Sequence, residues 1–407
     1  MDANGRRIVL TASALVAVGL LTIYAASAYI TTARFNDPSW FFRKQLLWVG
    51  VAGIAGALTS MVPYAAWGRW KWPILALTLG GLFLVLVPGV GSRFNGASRW
   101  IRFGSFGIQP SEFAKLGMIV VLAAFLADRG AGARRFAGGF LPAFAMTGTA
   151  CALILVEPDV GTAVFLAGSL FALMLAAGVR WLHLIPAVVA MVALAVPAMI
   201  ASGKFEHVRR RLEASSFGRW LTPAGTTVAA SGGSGTEYQA NQSRIAVGDG
   251  GLTGTRAGAG IAAMGYVPEV HSDFIFAAIA EQFGLAGSLT VLSLFVVYLL
   301  SGYGLMTRAP DRFGALLAFG LTFMVAAQAV FNMAVVTGVA PTKGISLPFV
   351  SFGGSGMVAA AAGVGILVNL SQTIQAGASV GACESGSVAV PECDPPPTPA
   401  DPTTASA

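Results

Sequence analysis

The stretch from Tyr266 to Ala277 joins an acidic side chain to the start of a long apolar run. Asp273 stands at the mouth of that run, five residues after Pro268. An ionisable group at the edge of a membrane helix is costly and by default marks a functional site. Asp273 could act there as a general base or as a cation ligand. The position equally suits a helix N-cap that accepts backbone N–H bonds, and spacing does not choose between these roles.

Two neighbours extend this first motif. His271 flanks Asp273 and is a candidate to orient a substrate or to support the carboxylate. Glu281 follows eight residues after Asp273. That separation is about two helical turns, so one continuous helix from Asp273 would place both carboxylates on one face.

A second polar group covers residues 93–115 and ends in a helix start. Glu112 and Lys115 are three residues apart on that helix, so their side chains can pair. The pair is either a buried structural ion pair or, if Lys115 faces a cavity, part of a phosphate site. Three further cations precede the helix start: Arg93, Arg99 and Arg102.

A third motif places two carboxylates, Glu157 and Asp159, on either side of a proline. It falls between two apolar runs, so it predicts a very tight turn between helices. The carboxylates either belong to a plain turn or give a cavity a polar lining.

A fourth motif, residues 337–355, is dense in proline and glycine between two apolar runs. Non-helical backbone at membrane depth is tolerated only when it is buried in protein or faces a cavity, so a re-entrant or tightly packed loop is expected. Lys343 and Ser351 are its candidates for contact with a polar ligand. Gln328 and Asn332 share one face of the preceding helix, and hydrogen bonding between helices is their expected role.

These motifs are spread over a chain with the composition of a membrane protein. Of its 407 residues, 55% are hydrophobic and 11% are charged, whereas a soluble domain carries about 25% charged residues. The sequence therefore predicts an all-α polytopic membrane protein with ten transmembrane helices and a long extracytoplasmic loop, 202–272, between helices 7 and 8. The predicted spans, each long enough for a bilayer, are 9–31, 45–63, 72–90, 111–127, 139–157, 160–178, 182–201, 273–300, 313–339 and 350–370.

The predicted organisation has three parts: a cytoplasmic N-terminus (1–8), a membrane domain (9–371) and a disordered Pro/Ser-rich tail (372–407). Ten spans put both termini on one side, and a weak excess of Lys and Arg favours the cytoplasm. The net charge of +7 accordingly indicates topology and anionic lipid or phosphate-bearing ligands, and nucleic acid is not expected as a partner. The cysteines and histidines lack metal-ligand spacing.

Taken together, the four motifs resemble the FtsW/RodA family, the SEDS glycosyltransferases of bacterial cell-wall synthesis. The similarity covers about residues 8–371. The matching blocks are Asn-Gly-Ala…Arg-Trp-Ile…Gln-Pro-Ser-Glu…Lys, Pro-Asp-x-Gly-Thr, Pro-Glu-x-His-Ser-Asp-Phe-Ile-Phe-Ala and Pro-Thr-Lys-Gly-x-x-Leu-Pro-Phe-x-Ser-Phe-Gly-Gly-Ser. The Pro341–Gly344 block resembles the division branch, FtsW, more than the elongation branch, RodA. Glu157 departs from the glutamine that family members often have at that place.

The resemblance implies a peptidoglycan glycosyltransferase that polymerises lipid II, an undecaprenyl-pyrophosphate-linked disaccharide-peptide, on the outer face of the cytoplasmic membrane. It places the family's essential aspartate at Asp273, its Glu–Lys pair at Glu112 and Lys115, and its second aspartate at Asp159. It also implies a class B penicillin-binding protein and other division-complex membrane proteins as partners. The expected location is the bacterial inner membrane at the division septum.

The chemistry of that reaction suits these residues. The leaving group is a pyrophosphate that is already acidic, so one base and a cationic clamp suffice, unlike the two carboxylates of a glycosidase. Asp273 is the predicted base, and Arg93, Arg99, Lys115 and Lys343 are candidates for the pyrophosphate charge. The sequence requires no cofactor. A divalent cation, Mg²⁺ or Mn²⁺, could contact Asp273, although no dedicated cage is present.

Other functions fit some of the same features. A lipid II flippase also needs a basic cavity with carboxylates at membrane depth, but it favours an internal repeat, and none is visible in the sequence. An elongation-type polymerase that controls cell shape would share the site. A non-catalytic division scaffold would not depend on the Asp273 carboxylate.

Overall fold

The computed structural model describes residues 1–94, 97–103, 106–157, 159–201, 235–255, 258 and 260–384. Most of these residues are helical. The α-helices are α1 (Ala3–Phe35), α2 (Trp40–Met61), α3 (Tyr64–Arg69), α4 (Lys71–Leu86), α5 (Pro110–Arg129), α6 (Leu141–Val156), α7 (Val160–Ala176), α8 (Trp181–Ala201), α9 (Gly235–Asp249), α10 (Ile275–Arg308), α11 (Arg312–Val336) and α12 (Gly354–Glu384). A 3₁₀ turn (Gly130–Arg134) and a π turn (Phe136–Phe140) join α5 to α6.

Six helical segments in the described part of the chain are long and apolar enough to cross a membrane. Each needs about 20 apolar residues to do so. The helical, membrane-type fold predicted from the sequence is therefore confirmed, and the count of ten spans stays a prediction. The six segments are Ala3–Ala33, Pro110–Arg134, Phe136–Val156, Ile275–Arg308, Arg312–Val336 and Gly354–Ala378.

Helix α5 lies at the centre of the bundle. Its side chains are buried almost without interruption from Ala114 to Leu126. It packs against α4, α7, α11 and α12, while α2 packs along α12 and α1 along α10. A helix that is apolar all round and enclosed on all sides forms the core of such a bundle.

The connection between α4 and α5 is a small sheet, which the sequence analysis did not anticipate. Strands β1 (Gly91–Phe94), β2 (Ala97–Phe103) and β3 (Phe106–Ile108) pair antiparallel in that order. Trp100 on β2 packs over Gly107, where an added Cβ would lie 3.0 Å from the indole ring. The sheet thereby fixes the position of Arg99 above the end of the bundle.

Helix α10 begins at Ile275 and is interrupted at Gly284, which has φ 63° and ψ −157°. The interruption leaves Leu285 N free to donate to Gly251 O at 3.0 Å. Asp273 precedes this helix, and the Glu281 carboxylate accepts from Ala262 N at 3.1 and 3.3 Å. The expectation that Asp273 and Glu281 share one helix face is therefore wrong, because Asp273 lies in a turn before the helix.

Two predicted segments lie partly outside the described residues. Of the predicted loop 202–272, residues 202–234 are not described, and α9 occupies part of the remainder. Helix α12 continues to Glu384, past the boundary predicted at residue 371. The rest of the predicted tail, 385–407, lies outside the described residues.

Candidate active site

The backbone of the turn that carries Asp273 is hydrogen-bonded to two other elements, α11 and residues 337–353, so the turn is docked against both. We call residues 337–353 the proline/glycine loop, or PG loop. Three consecutive carbonyls accept hydrogen bonds: His271 O from Phe352 N at 2.8 Å, Ser272 O from Ser351 Oγ at 2.6 Å and Asp273 O from Asn332 Nδ2 at 2.9 Å.

The carboxylate of Asp273 does not cap the following helix. The N-cap residue of α10 is Phe274, and no side chain caps that end. Instead the carboxylate lies against the PG loop, where a Cβ added to Gly344 would stand 2.7 Å from Asp273 Oδ2. The sequence left open whether Asp273 is a helix cap or a general base or cation ligand, and this geometry favours the second role.

The surroundings of Asp273 disfavour its charged form. Burial raises the pKa of Asp273 to about 7, and the carboxylates of Glu269 and Asp159 add to the rise, while Arg99 opposes it. A general base is most effective when its pKa is near the working pH. Asp273 is therefore poised to accept a proton at neutral pH.

Asn332 and Gln328 both contact the PG loop, and Gln328 also contacts helix α5. Asn332 Nδ2 also donates to Ile345 O at 2.7 Å, so one amide ties Asp273 to the loop. Gln328 Nε2 donates to Ser346 O at 2.8 Å. The predicted helix–helix hydrogen bonding is confirmed for Gln328, whose Oε1 accepts from Lys115 Nζ on α5 at 2.9 Å. It is wrong for Asn332, whose partners are carbonyls of irregular segments.

Asp159 brings two cations together beside Asp273. Its carboxylate lies 3.8 Å from Arg99 Nη1 on β2 and 3.8 Å from Lys343 Nζ on the PG loop. It also caps α7 by accepting from Thr162 N at 3.3 Å and Thr162 Oγ1 at 2.8 Å. The lysine stem crosses Gly161, where any Cβ would collide with it. Strand β2, helix α7 and the PG loop thus meet at the Asp159 carboxylate.

Glu157 lies at the C-cap of α6, buried to 1% exposure, and neither carboxyl oxygen has a hydrogen-bond partner among the described residues. Arg99 Nε donates to its backbone oxygen at 3.4 Å. Burial raises the pKa of Glu157 to about 8, Asp159 adds to the rise and Arg99 opposes it. Glu157 is therefore a mostly neutral carboxyl at pH 7, which sequence reasoning did not foresee.

The predicted pairing of Glu112 and Lys115 is confirmed. Lys115 Nζ lies 2.9 Å from Glu112 Oε2 and 2.9 Å from Gln328 Oε1. The neighbouring cavity measures about 30 Å³, which admits roughly one water and no phosphate group. This geometry favours the structural ion pair over the phosphate site.

The remaining predicted residues divide into three cases. His271 stacks on the Phe41 ring at 4.1 Å, and burial lowers its pKa although Glu269 opposes this. The Ser351 hydroxyl accepts from Leu347 N at 2.8 Å as well as donating to Ser272 O, so it holds the loop instead of facing a ligand. Arg93 belongs to β1, and its side chain lies outside the described part.

The sequence analysis missed the contact of Gly344 with Asp273 and assigned Asn332 a different role. Gly344 and the backbone role of Asn332 both depend on how the PG loop folds onto the Asp273 turn. Their only sequence signals were a glycine beside Lys343 and an amide inside an apolar helix.

The described residues contain no group of three or more His, Cys, Asp or Glu side chains placed for a metal ion. Asp273 offers one carboxylate to a divalent cation, and the hard oxygen ligands that complete such a site would have to come from phosphate and water. A divalent cation at Asp273 therefore stays a prediction.

Comparisons with known proteins agree with one another. Residues 6–376 match the FtsW/RodA/SpoVE family model, described as "Cell cycle protein". A protein of Geobacter metallireducens named "Probable peptidoglycan glycosyltransferase FtsW" is 35% identical over 89% of this chain and 93% of its own length. Stage V sporulation protein E of Bacillus subtilis is 36% identical over 88% and 94%.

Solved structures are similar over the same extent. A peptidoglycan synthase complex, described as coordinating polymerization and crosslinking, matches with a TM-score of 0.71 and 26% identity over 90% of this chain and 97% of the matched chain. The rod shape determining protein RodA of Thermus thermophilus matches with a TM-score of 0.62 and 24% identity over 90% and 95%. The second match concerns the fold alone.

Proposed function

This chain belongs to the FtsW/RodA/SpoVE family, and we propose from that premise that it is a peptidoglycan glycosyltransferase that polymerises lipid II. Relatives that align over most of both chains carry the name peptidoglycan glycosyltransferase FtsW. The proposed substrate is the undecaprenyl-pyrophosphate-linked disaccharide-peptide. The proposed place of reaction is the outer face of the cytoplasmic membrane.

The observation that carries the proposal is the position of Asp273. Its backbone is fixed, its pKa is raised to about 7, and Arg99 and Lys343 share the adjacent Asp159 carboxylate. Guanidinium and ammonium groups are the side chains that typically bind phosphate oxygens in proteins. A base and an anion site are the two groups that the reaction needs.

In the proposed mechanism, the Asp273 carboxylate takes the proton of the acceptor sugar hydroxyl. The hydroxyl oxygen forms a bond to the anomeric carbon of the donor, and the bond from that carbon to the pyrophosphate oxygen breaks. The undecaprenyl pyrophosphate leaves with the electron pair, and Arg99 and Lys343 stabilise its charge. The Glu112–Lys115 pair positions α5 against α11 and does not reach the substrate.

A divalent cation, if it takes part, would neutralise pyrophosphate charge while bound to Asp273. Its proposed role is secondary, because the described residues contain no group of three or more His, Cys, Asp or Glu side chains placed to hold it. The sequence also suggested that Arg93 contacts the pyrophosphate, and that contact likewise stays a proposal.

We further propose a class B penicillin-binding protein and other division-complex membrane proteins as partners. The similarity to a peptidoglycan synthase complex that couples polymerization to crosslinking supports this. The proposed location is the inner membrane at the division septum, with both termini in the cytoplasm. Depletion in cells should then give filaments, whereas loss of an elongation-type enzyme should give rounded cells.

The test is a reconstitution of the purified full chain in liposomes with fluorescent lipid II, with and without its penicillin-binding partner. A ladder of glycan strands on gels supports the polymerase. Movement of lipid II to the other leaflet without any polymer supports the flippase. Because the two readouts are separate, one preparation decides between the two functions.

A further inference from the structure

The end of the bundle opposite to the candidate active site carries arginines that the proposed reaction does not use. Helix α7 has 17 residues and starts at the Asp159 cap, so its far end lies about 25 Å from the site at 1.5 Å per residue. Arg312 Nη2 donates to Ala177 O at 2.6 Å there. Arg134 Nε lies 3.9 Å from the position of a Cβ on the next residue, Gly178. Two guanidinium groups therefore converge on the end of α7.

Two further arginines widen this cluster. Arg135 follows Arg134, Arg180 follows two residues after Gly178, and both side chains are exposed. Within the described residues, none of Arg134, Arg135 and Arg180 forms an ion pair with a carboxylate. Like charges this close repel one another unless an anion or salt screens them.

The acidic side chains nearest in sequence are engaged elsewhere. Asp128 pairs with Lys71. Asp311 caps α11 through Gly314 N at 2.7 Å and accepts from Tyr64 Oη at 3.2 Å. We call the surface formed by Arg134, Arg135, Arg180 and Arg312 the arginine cluster. Within the described residues, no carboxylate forms an ion pair with any of the four.

Exposed apolar side chains adjoin the arginine cluster. Phe136 is 53% exposed, Trp181 61% and Leu182 59%. The Phe136 ring packs against His183 at 5.4 Å, which brings the turn before α6 next to the start of α8. Aromatic and basic side chains at one level are typical of the membrane–water interface. The arginine side chains lie at the ends of the helices, and the exposed apolar side chains adjoin them.

We propose that the arginine cluster binds the phosphate of an anionic phospholipid in the leaflet opposite to Asp273. Guanidinium groups bind phosphate oxygens in pairs, and basic pockets between helices hold anionic headgroups. The adjoining Phe136, Trp181 and Leu182 suit the glycerol and upper acyl region of such a lipid. A soluble anion would leave these apolar side chains without a role.

The test measures thermal unfolding of the purified full chain in neutral detergent as phosphatidylglycerol is added, with phosphatidylcholine of the same chains as the reference. The wild type should be stabilised by phosphatidylglycerol alone. Arg134→Gln/Arg135→Gln/Arg180→Gln should need at least tenfold more phosphatidylglycerol for the same shift. Arg312 is left intact because it bonds to Ala177 O.

The matched control is the double variant Arg6→Gln/Arg7→Gln, which is compared with the double variant Arg134→Gln/Arg135→Gln. Arg6 and Arg7 are also adjacent and exposed, and they lie at the same end of the bundle, where Asp2 Oδ2 is 3.9 Å from Arg308 Nη1. Equal loss of the lipid effect in both pairs would overturn the proposal in favour of general charge. Equal stabilisation of the wild type by inorganic phosphate would overturn it in favour of a free-anion site. Neither readout depends on polymerase activity.

Discussion

A side-chain carbon on Gly344 would stand 2.7 Å from Oδ2 of Asp273. The backbone of the PG loop is therefore pressed against the carboxylate that we assign as the base. The same contact places Lys343, the preceding residue, beside Asp159 at 3.8 Å. The loop thus sets the distance between the base and Lys343, one of the two cations proposed to receive the leaving group.

Gly344→Ala should lower the rate of polymerisation at least tenfold while the protein stays folded. A separation of 2.7 Å is too short for a carbon and an oxygen, so the loop or the carboxylate must move. Gly353→Ala in the same loop is the control, because an added Cβ there meets nothing within 4 Å. Equal activity of the two variants in a lipid II assay would show that this contact does not position the base.

Asn332→Ala should reduce both stability and activity. It removes the hydrogen bonds to Asp273 O and Ile345 O, and each buried carbonyl left unpaired costs about 1–3 kcal/mol. Asn369→Ala is the matched control, since Asn369 also makes two backbone contacts, to Tyr64 N and Ser60 O, far from Asp273. Thermal melts should show losses in both variants, and polymerisation per folded molecule should fall in Asn332→Ala alone.

The rate of polymerisation should rise with pH through about 7, because Asp273 must be ionised to accept a proton and its pKa is raised to about 7. Glu269→Gln removes a negative neighbour that raises this pKa, so the profile should shift towards lower pH. A pH–rate profile of both proteins checks this. A shift towards higher pH, or a flat wild-type profile, would contradict the assignment.

Glu157→Gln should be more stable than the wild type at pH 8, with a smaller difference at pH 5. The pKa of Glu157 is raised to about 8, so the folded state keeps a proton that the unfolded chain has lost above its ordinary pKa. Stability attributable to this group therefore falls as pH rises from that ordinary value to about 8. Polymerisation at pH 7 should be retained, because glutamine resembles the neutral carboxyl. A pH-independent difference in melting temperature would rule out this account of Glu157.

The sequence predicted the elements of the site better than their arrangement. Asp273, Asp159, Arg99 and Lys343 were identified from their types, and the structure places them in one cluster. Ionisable side chains are rare in apolar runs, so each one is conspicuous in a membrane sequence. The pairing of Glu112 with Lys115 followed from helical spacing alone.

The parts that were missed depend on contacts between distant segments. Asn332 was expected to bond to a helix, yet it bonds to a turn 59 residues earlier and to a loop 13 residues later. The prediction that Asp273 and Glu281 share one helix face was wrong because α10 begins only at Ile275. Irregular backbone leaves carbonyls that must find donors, and local periodicity does not say which side chains will supply them.

The most direct test of the central claim compares glycan polymerisation from lipid II by the wild type and by Asp273→Asn, each with the penicillin-binding partner. Asparagine keeps the shape of the side chain, and the backbone bonds of the turn do not involve the carboxylate, so the variant should fold with an unchanged melting temperature. Loss of a positioned general base lowers a rate by roughly 10²–10⁴-fold. The account predicts a loss of that size in Asp273→Asn, and equal product from the two folded proteins would contradict it.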